Sequence, residues 1–412
     1  MSAGAGGPAK RPSERRRAVA VSAGAGGPAK RPSERRRAVG VSGTLDRALE
    51  GKAIVICAGS GGVGKTTSSA AIAMGLAARG KRVAVVTIDP AKRLADALGL
   101  DALDNEPALV DPARFGAAGV EITGELWAMT LDAKRTFDEL IERLAPDERT
   151  RDEILSNRIY QQLSGAVAGS QEFTAVAKLY DLHASQRFDV LVLDTPPSRN
   201  ALDFLDAPDR LTGFFEGRAL KVFLAPTGLA ARAMGRGTAV VFGVMKRLTG
   251  VDLLEDLSVF FLALGSLLDG FRERAEGVGR LLGDPGTTFL VITSPEREPA
   301  EEAIFFRRKL RDAGMPFGGL IINRVHELDG GGQALPDPEA VAAELAPELG
   351  AGLAAKVART YGEALTIAER DAASIARLKA ETGDRRPVLV PELDGDVHDV
   401  DGLVAVHAHL FA

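Results

Sequence analysis

Gly59-Ser60-Gly61-Gly62-Val63-Gly64-Lys65-Thr66-Thr67 is the stretch on which the reading of this chain turns. It follows a short apolar run ending at Cys57 and precedes SSAAIAMGLAA at 68–78, a small-residue segment of helical character. The pattern is G-x-x-x-x-G-K-S/T in its required context, strand before and helix after. Glycines at 59, 61, 62 and 64 let successive backbone N–H groups converge on phosphate oxygens without a Cβ in the way. A helix beginning near Lys65 adds the positive end of its dipole. In such a loop Lys65 supplies a mobile charge to the β- and γ-phosphates, Thr66 offers a hydroxyl to Mg²⁺, and Thr67 reaches the α-phosphate. The stretch therefore predicts nucleotide binding.

Working outward, short β-branched apolar runs alternate with helical stretches from Leu45 on, the signature of βαβ units around a parallel sheet. Strands are predicted at 53–57, 82–88, 125–131, 189–193, 287–293, 318–322 and 387–390. Several are apolar over nearly their whole length (IVIC, VLVL, FLVI, LIIN), as strands covered by helices on both faces should be. The fold class is thus α/β: a P-loop domain over 44–412 with a central, mostly parallel sheet between helical layers. Two intervals, about 133–185 and 201–282, carry no strand signal and read as a helical insertion subdomain. Within it, 257–268 (LSVFFLALGSLL) is too short to span a bilayer, and 222–245 is interrupted by Pro226, Arg232 and Arg236, so no stable membrane span is expected. The same apolar composition suits either an ordinary helical core or a Met- and Phe-rich groove for an apolar protein client.

Composition sets the outer bounds. Of 412 residues 45% are hydrophobic and 26% charged, ample for a globular core. There is one cysteine, Cys57, which excludes an internal disulfide, a Cys-x-x-Cys zinc site and a three-thiolate metalloid site, and points to a reducing, cytoplasmic setting. Residues 2–19 recur unchanged at 22–39, so the net charge of −5 divides into +8 on the two copies and −13 on the rest. Segment 1–43 is rich in Gly, Pro, Ala, Ser and Arg without apolar periodicity, and is expected to be a disordered basic tail. A recent genetic duplication or a misplaced start explains it better than a nucleic-acid-binding arm, and it has no signal-peptide core.

A P-loop needs an acidic partner for its metal. Asp194 closes the apolar strand Val190-Leu191-Val192-Leu193, at the sheet edge where the phosphate loop also lies. Mg²⁺ is expected there, held by Thr66 and, through water, by Asp194. A second carboxylate, Asp89, ends Thr87-Ile88 and opens Asp89-Pro90-Ala91-Lys92-Arg93. It reads as a helix N-cap with Pro at the first helical position, a role compatible with orienting an attacking water.

GSGGVGKTT, IDPAKRL and LVLDTPPSRNALDFL, in this order, resemble the P-loop, switch I and switch II of the arsenite-pump ATPase family, which includes the tail-anchored-protein targeting ATPases. The resemblance runs over essentially all of 50–412 and takes in Thr-Ser-Pro-Glu at 293–296, Ile321-Ile322-Asn323-Arg324 and Leu-Val-Pro-Glu-Leu at 389–393. It implies an ATP- and Mg²⁺-dependent dimer with nucleotides at the subunit interface, Asp89 and Lys65 as catalytic residues, Asp194 as the Walker B aspartate and Asn323 as the adenine-reading asparagine. Independently, no N/T-K-x-D element for guanine occurs in the chain.

Three departures refine this. Members with K-G-G-x-G-K-S/T send their first lysine across the interface, and that position here is Ser60. Either a lysine-bearing relative completes a hetero-oligomer, the favoured reading, or a homodimer relies on Lys92, Arg93 or Arg199. The lone Cys57 argues against an arsenite site. The missing Cys-x-x-Cys pair removes the zinc bridge of some targeting members, so the client is left open. The expectation is a cytoplasmic ATPase coupling its switches to the helical subdomain. A nucleotide-binding structural subunit with little hydrolysis is the rival, and a partitioning-type regulator is disfavoured by the long helical insertion.

Overall fold

The structure, a computed structural model, describes residues 43–89, 92–158, 160–161, 171–195, 263, 265–328, 335–393, 395 and 397–412. The basic tail, Pro90, Ala91, Arg199 and most of the 201–282 interval lie outside them.

Eight strands form one sheet in the order β3-β4-β2-β5-β1-β6-β7-β8. They are β1 (Ile54–Ala58), β2 (Arg82–Thr87), β3 (Ala108–Leu109), β4 (Glu125–Thr130), β5 (Val190–Asp194), β6 (Thr287–Thr293), β7 (Phe317–Val325) and β8 (Val388–Pro391). Every pairing is parallel except β3 with β4, which is antiparallel. The seven predicted strands are all present. The two-residue β3 gave no signal in the sequence because Ala108 and Leu109 are exposed and hold neither alternation nor β-branching.

Alternation along the strands divides the interior into two layers. Val55, Cys57, Val83, Val85, Val190 and Val192 face one side, where they meet α1 (Thr44–Leu49), α2 (Lys65–Ala78), α3 (Arg93–Ala97) and α12 (Val400–Leu410). Ile54, Ile56, Ala84, Val86, Leu191 and Leu193 face the other, against α7 (Gln171–Ala184), α8 (Leu268–Gly283), α9 (Arg297–Asp312) and α11 (Ala351–Thr382). Each such buried aliphatic side chain contributes about 1.5–3 kcal/mol of transfer free energy. Burial on both faces is why these strands read as continuous apolar runs. A satellite cluster of Phe137, Leu140, Ile141, Ile154, Tyr160 and Phe271 holds α5 (Ala133–Leu144) and α6 (Glu148–Leu155) to α7 and α8. The remaining helices among the described residues are α4 (Ala113–Gly116) and α10 (Pro338–Leu349), the latter packed on α11.

Helix α2 is buried along most of its length, and its small residues are the reason. A Cβ on Gly75 would stand 2.2 Å from the ring of Phe411, the C-cap of α12, so glycine there sets how closely the two helices approach. No helix among the described residues is long and apolar enough to cross a membrane.

The expected helix start at Asp89 is corrected. Helix α3 begins at Arg93 with Lys92 at its N-cap and no side-chain cap. Asp89 accepts instead from the Arg93 guanidinium, Nη1 to Oδ2 at 3.2 Å.

Candidate functional site

The loop between β1 and α2 takes its shape from two left-handed glycines, Gly62 at φ 77° and Gly64 at φ 87°, the latter the N-cap of α2. The missing side chains of Gly59 and Gly64 allow close approaches. A Cβ on Gly59 would stand 1.9 Å from the Ile292 carbonyl oxygen of β6, and one on Gly64 would stand 2.3 Å from Asn323 Nδ2. The backbone at Ile292 cannot give way without breaking the sheet. Gly59→Ala is therefore expected to cost about 2–4 kcal/mol of stability, read as a lowered thermal midpoint; a midpoint equal to wild type would show that the loop is not wedged against β6.

Lys65 is buried, and its Nζ donates to the Ser60 carbonyl oxygen at 2.6 Å. Burial lowers its pKa from the usual lysine value, while the nearby carboxylates of Asp194 and Asp89 oppose that shift. The ammonium is thus held at the loop, close to two acids. Asp194 is 2% exposed. Its Oδ2 accepts from Thr66 Oγ1 at 2.7 Å and from Thr87 Oγ1 at 2.9 Å, and its Oδ1 is buried without a partner among the described residues. Burial pushes its carboxyl up to about 6, against the two threonine hydrogen bonds and the charge of Lys65.

The donor set at Thr66 and Asp194 is one hydroxyl and one carboxylate. Hard oxygen donors few in number suit Mg²⁺, which keeps several waters and completes its shell with phosphate. The unpartnered Oδ1 is the atom that a metal-bound water would satisfy. The residues present therefore fit the ion.

Gly62, Gly64, Lys65, Thr66, Thr67, Asp89, Arg93, Asp96, Thr195, Arg324, Val397 and His398 line one cleft of about 360 Å³ over the loop. The structure thus brings Lys65, Thr66, Thr67 and Asp89 together at one opening, with Asp194 bonded to Thr66 beneath it. Of the three cations named as replacements for a trans lysine, Arg93 lines this cleft, Lys92 does not, and Arg199 lies outside the described residues. Ser60 is 8% exposed, and its hydroxyl donates to Glu302 Oε2 on α9 at 2.6 Å. Val63 is buried, and its carbonyl oxygen accepts from Asn323 Nδ2 at 2.9 Å. Asn323, predicted as a base reader, here braces the phosphate loop.

Sequence reasoning missed Thr87, Glu302, Arg324, Val397 and His398 as site residues. Thr87 had a signal, a hydroxyl closing an apolar strand whose register pairs it with Asp194. Glu302 had none, being one acid among several on α9. Cys57, inside β1 as expected, has a fully buried thiol pushed up to about 12 by desolvation, which leaves it without thiolate chemistry.

Residues 52–330 match the sequence profile of the family described as anion-transporting ATPase. The chain is 28% identical over 261 residues to a protein of Aquifex aeolicus named as an arsenical pump-driving ATPase, covering 62% of this chain and 59% of that protein. To ATPase ARSA1 of Chlamydomonas reinhardtii it is 28% identical over 280 residues, 62% of this chain and 33% of the relative. To ATPase GET3 of Malassezia globosa it is 33% identical over 142 residues, 34% of this chain and 38% of the relative. The chain thus spans less than two thirds of each of these relatives.

Proposed function

The chain belongs to the anion-transporting ATPase family, and from that premise we propose that it is a cytoplasmic ATPase that binds ATP with Mg²⁺ over Gly59–Thr67 and hydrolyses the β–γ phosphoanhydride. The observation that carries this reading is the joining of the loop to the end of β5, Thr66 Oγ1 to Asp194 Oδ2, with Asp194 Oδ1 left for a metal-bound water. Thr66 and, through water, Asp194 would hold Mg²⁺, which would supply positive charge to offset that of the phosphates. In this proposal Lys65 leaves the Ser60 carbonyl for the β- and γ-phosphate oxygens. Asp89, at the cleft wall, orients the water that attacks the γ-phosphorus as the bridging oxygen departs with ADP. Asn323 presents the carbonyl oxygen of its amide to the adenine amino group. The described residues hold Asp89 against Arg93, so this salt bridge must open for the water to be oriented.

The assembly is part of the same proposal. The resemblance implies a dimer across the nucleotide, and the trans-lysine position here is a serine whose hydroxyl is already bonded to Glu302 within the chain. That favours pairing with a lysine-bearing relative over a homodimer, with switch motions passed to the helical segments and to an apolar client there. The same observation supports the second reading, a nucleotide-binding structural subunit with little hydrolysis of its own.

Steady-state ATP hydrolysis by the chain alone, with Lys65→Ala as the blank, decides among these. Turnover above the blank makes the chain an enzyme by itself, with a local cation in place of the trans lysine. No difference, with ATP still bound, assigns hydrolysis to a complex with a partner. Absence of ATP binding would sink the nucleotide reading. A lysine at position 60 would lie beside Glu302, which would hold it inside its own subunit. Ser60→Lys with Glu302→Gln is therefore expected to turn over about fivefold faster than Ser60→Lys alone, the equivalent of ~1 kcal/mol for releasing an ion pair. Equal rates for the two would show that Glu302 does not restrain that position.

A further inference from the structure

Strand β7 departs from regular pairing at its C-terminal end. Ile322 pairs with Leu389 and Val325 with Pro391, so the strand carries Asn323 and Arg324 across a register shift. Arg324 has φ 59°; it and Gln186 are the two non-glycine residues in the left-handed region among the described residues. A full side chain is disfavoured in that conformation, and a strained backbone of this kind is held only where its surroundings determine it. Here Asn323 Nδ2 is tied to the Val63 carbonyl oxygen, and the irregularity turns the next side chain toward the cleft, which Arg324 lines. Among the described residues its guanidinium has one weak tether, Nε to Glu392 Oε2 at 3.9 Å with both side chains about half exposed.

Strand order gives the cleft a direction. Asp89 and Asp194 stand at the ends of β2 and β5, on one side of the loop that follows β1, and they mark the metal and γ-phosphate end. Arg324 on β7, with Val397 and His398 after β8, stands on the other side. A nucleotide with its terminal phosphate over β5 and β2 must extend its nucleoside toward β7. A guanidinium there is a donor fork suited to the oxygens of an α-phosphate. We propose that Arg324 is a nucleotide-binding residue that grips the α-phosphate at the nucleoside end, and that the left-handed turn of β7 exists to aim it.

This rests on the ATP reading above, and calorimetric titration of the full chain with MgATP and MgADP separates the two. Arg324→Ala is expected to weaken both nucleotides by about tenfold and by the same factor, because both carry the α-phosphate. Arg324→Gly, which relieves the backbone but lacks the guanidinium, is expected to bind as weakly as Arg324→Ala while melting no earlier than it. Wild-type affinity in either variant, or a loss confined to MgATP, would overturn the proposal. A wild-type chain that binds neither nucleotide would overturn the site reading itself and this proposal with it.

Discussion

Alanine at position 65 is expected to bring ATP turnover down to the level of a blank, a loss of at least about a hundredfold. Lys65 is the first residue of α2, and its buried ammonium is bonded to the loop carbonyl of Ser60 and feels the charge of Asp194 and Asp89. Those acids repel an incoming triphosphate. Removing the lysine leaves their charge in place and takes away the cation that offsets it, so ground-state affinity falls and transition-state stabilisation falls further. Glycines 62 and 64 still present their amides, so weakened nucleotide binding should persist. The check is steady-state phosphate release alongside a thermal melt, which establishes that the variant is folded. A folded Lys65→Ala variant with wild-type turnover would remove the loop from the chemistry altogether.

Asp194→Asn is expected to abolish Mg²⁺-dependent turnover and, in metal-free buffer at neutral pH, to raise the stability of the fold. Burial lifts this carboxyl from 3.8 to about 6. Between those values the folded chain binds more protons than the unfolded one, so this group's contribution to stability falls as pH rises through the window. Above about pH 6 the folded state bears the full cost of an ionised buried carboxylate, roughly 3 kcal/mol; below 3.8 it bears none. Asparagine carries no charge, and its carbonyl oxygen can still accept from Thr66 and Thr87. The variant should therefore melt above wild type at pH 7.5, the gap closing as pH falls toward 4. Comparing the two proteins at each pH isolates this group from the other carboxylates that titrate in the same range. Equal melting temperatures at pH 7.5 would mean that the carboxylate is solvated, leaving no reason for a metal to be drawn to it. The expected trade of stability for function is the usual one at a site built around a buried charge.

The sequence by itself determined the sheet, the phosphate loop and the acid beneath it. Continuous apolar runs such as Val190–Leu193 are forced by burial on both faces. A strand, four glycines, a lysine and a threonine in fixed spacing leave the backbone one economical way to turn into α2. These signals are local, since they come from φ preferences and side-chain period, and they survive without knowledge of any neighbour. Only the tertiary structure decided what the loop touches. Ser60 meets Glu302 across 242 residues of chain, and Val63 meets Asn323 across 260. Both contacts exist because β6 lies beside β1 and β7 beside β6, a strand order that no single segment encodes. Arg324 belongs to the same class, since its left-handed backbone follows from a register shift against β8 that cannot be read from an arginine following an asparagine. The false helix start at Asp89 has the same origin. Asp-Pro is a good cap by local rules, but the carboxylate is bonded to the first residue of the helix, Arg93, from beyond its N-cap. Local chemistry set which elements form, and the order in which the sheet assembles them set which side chains share the cleft.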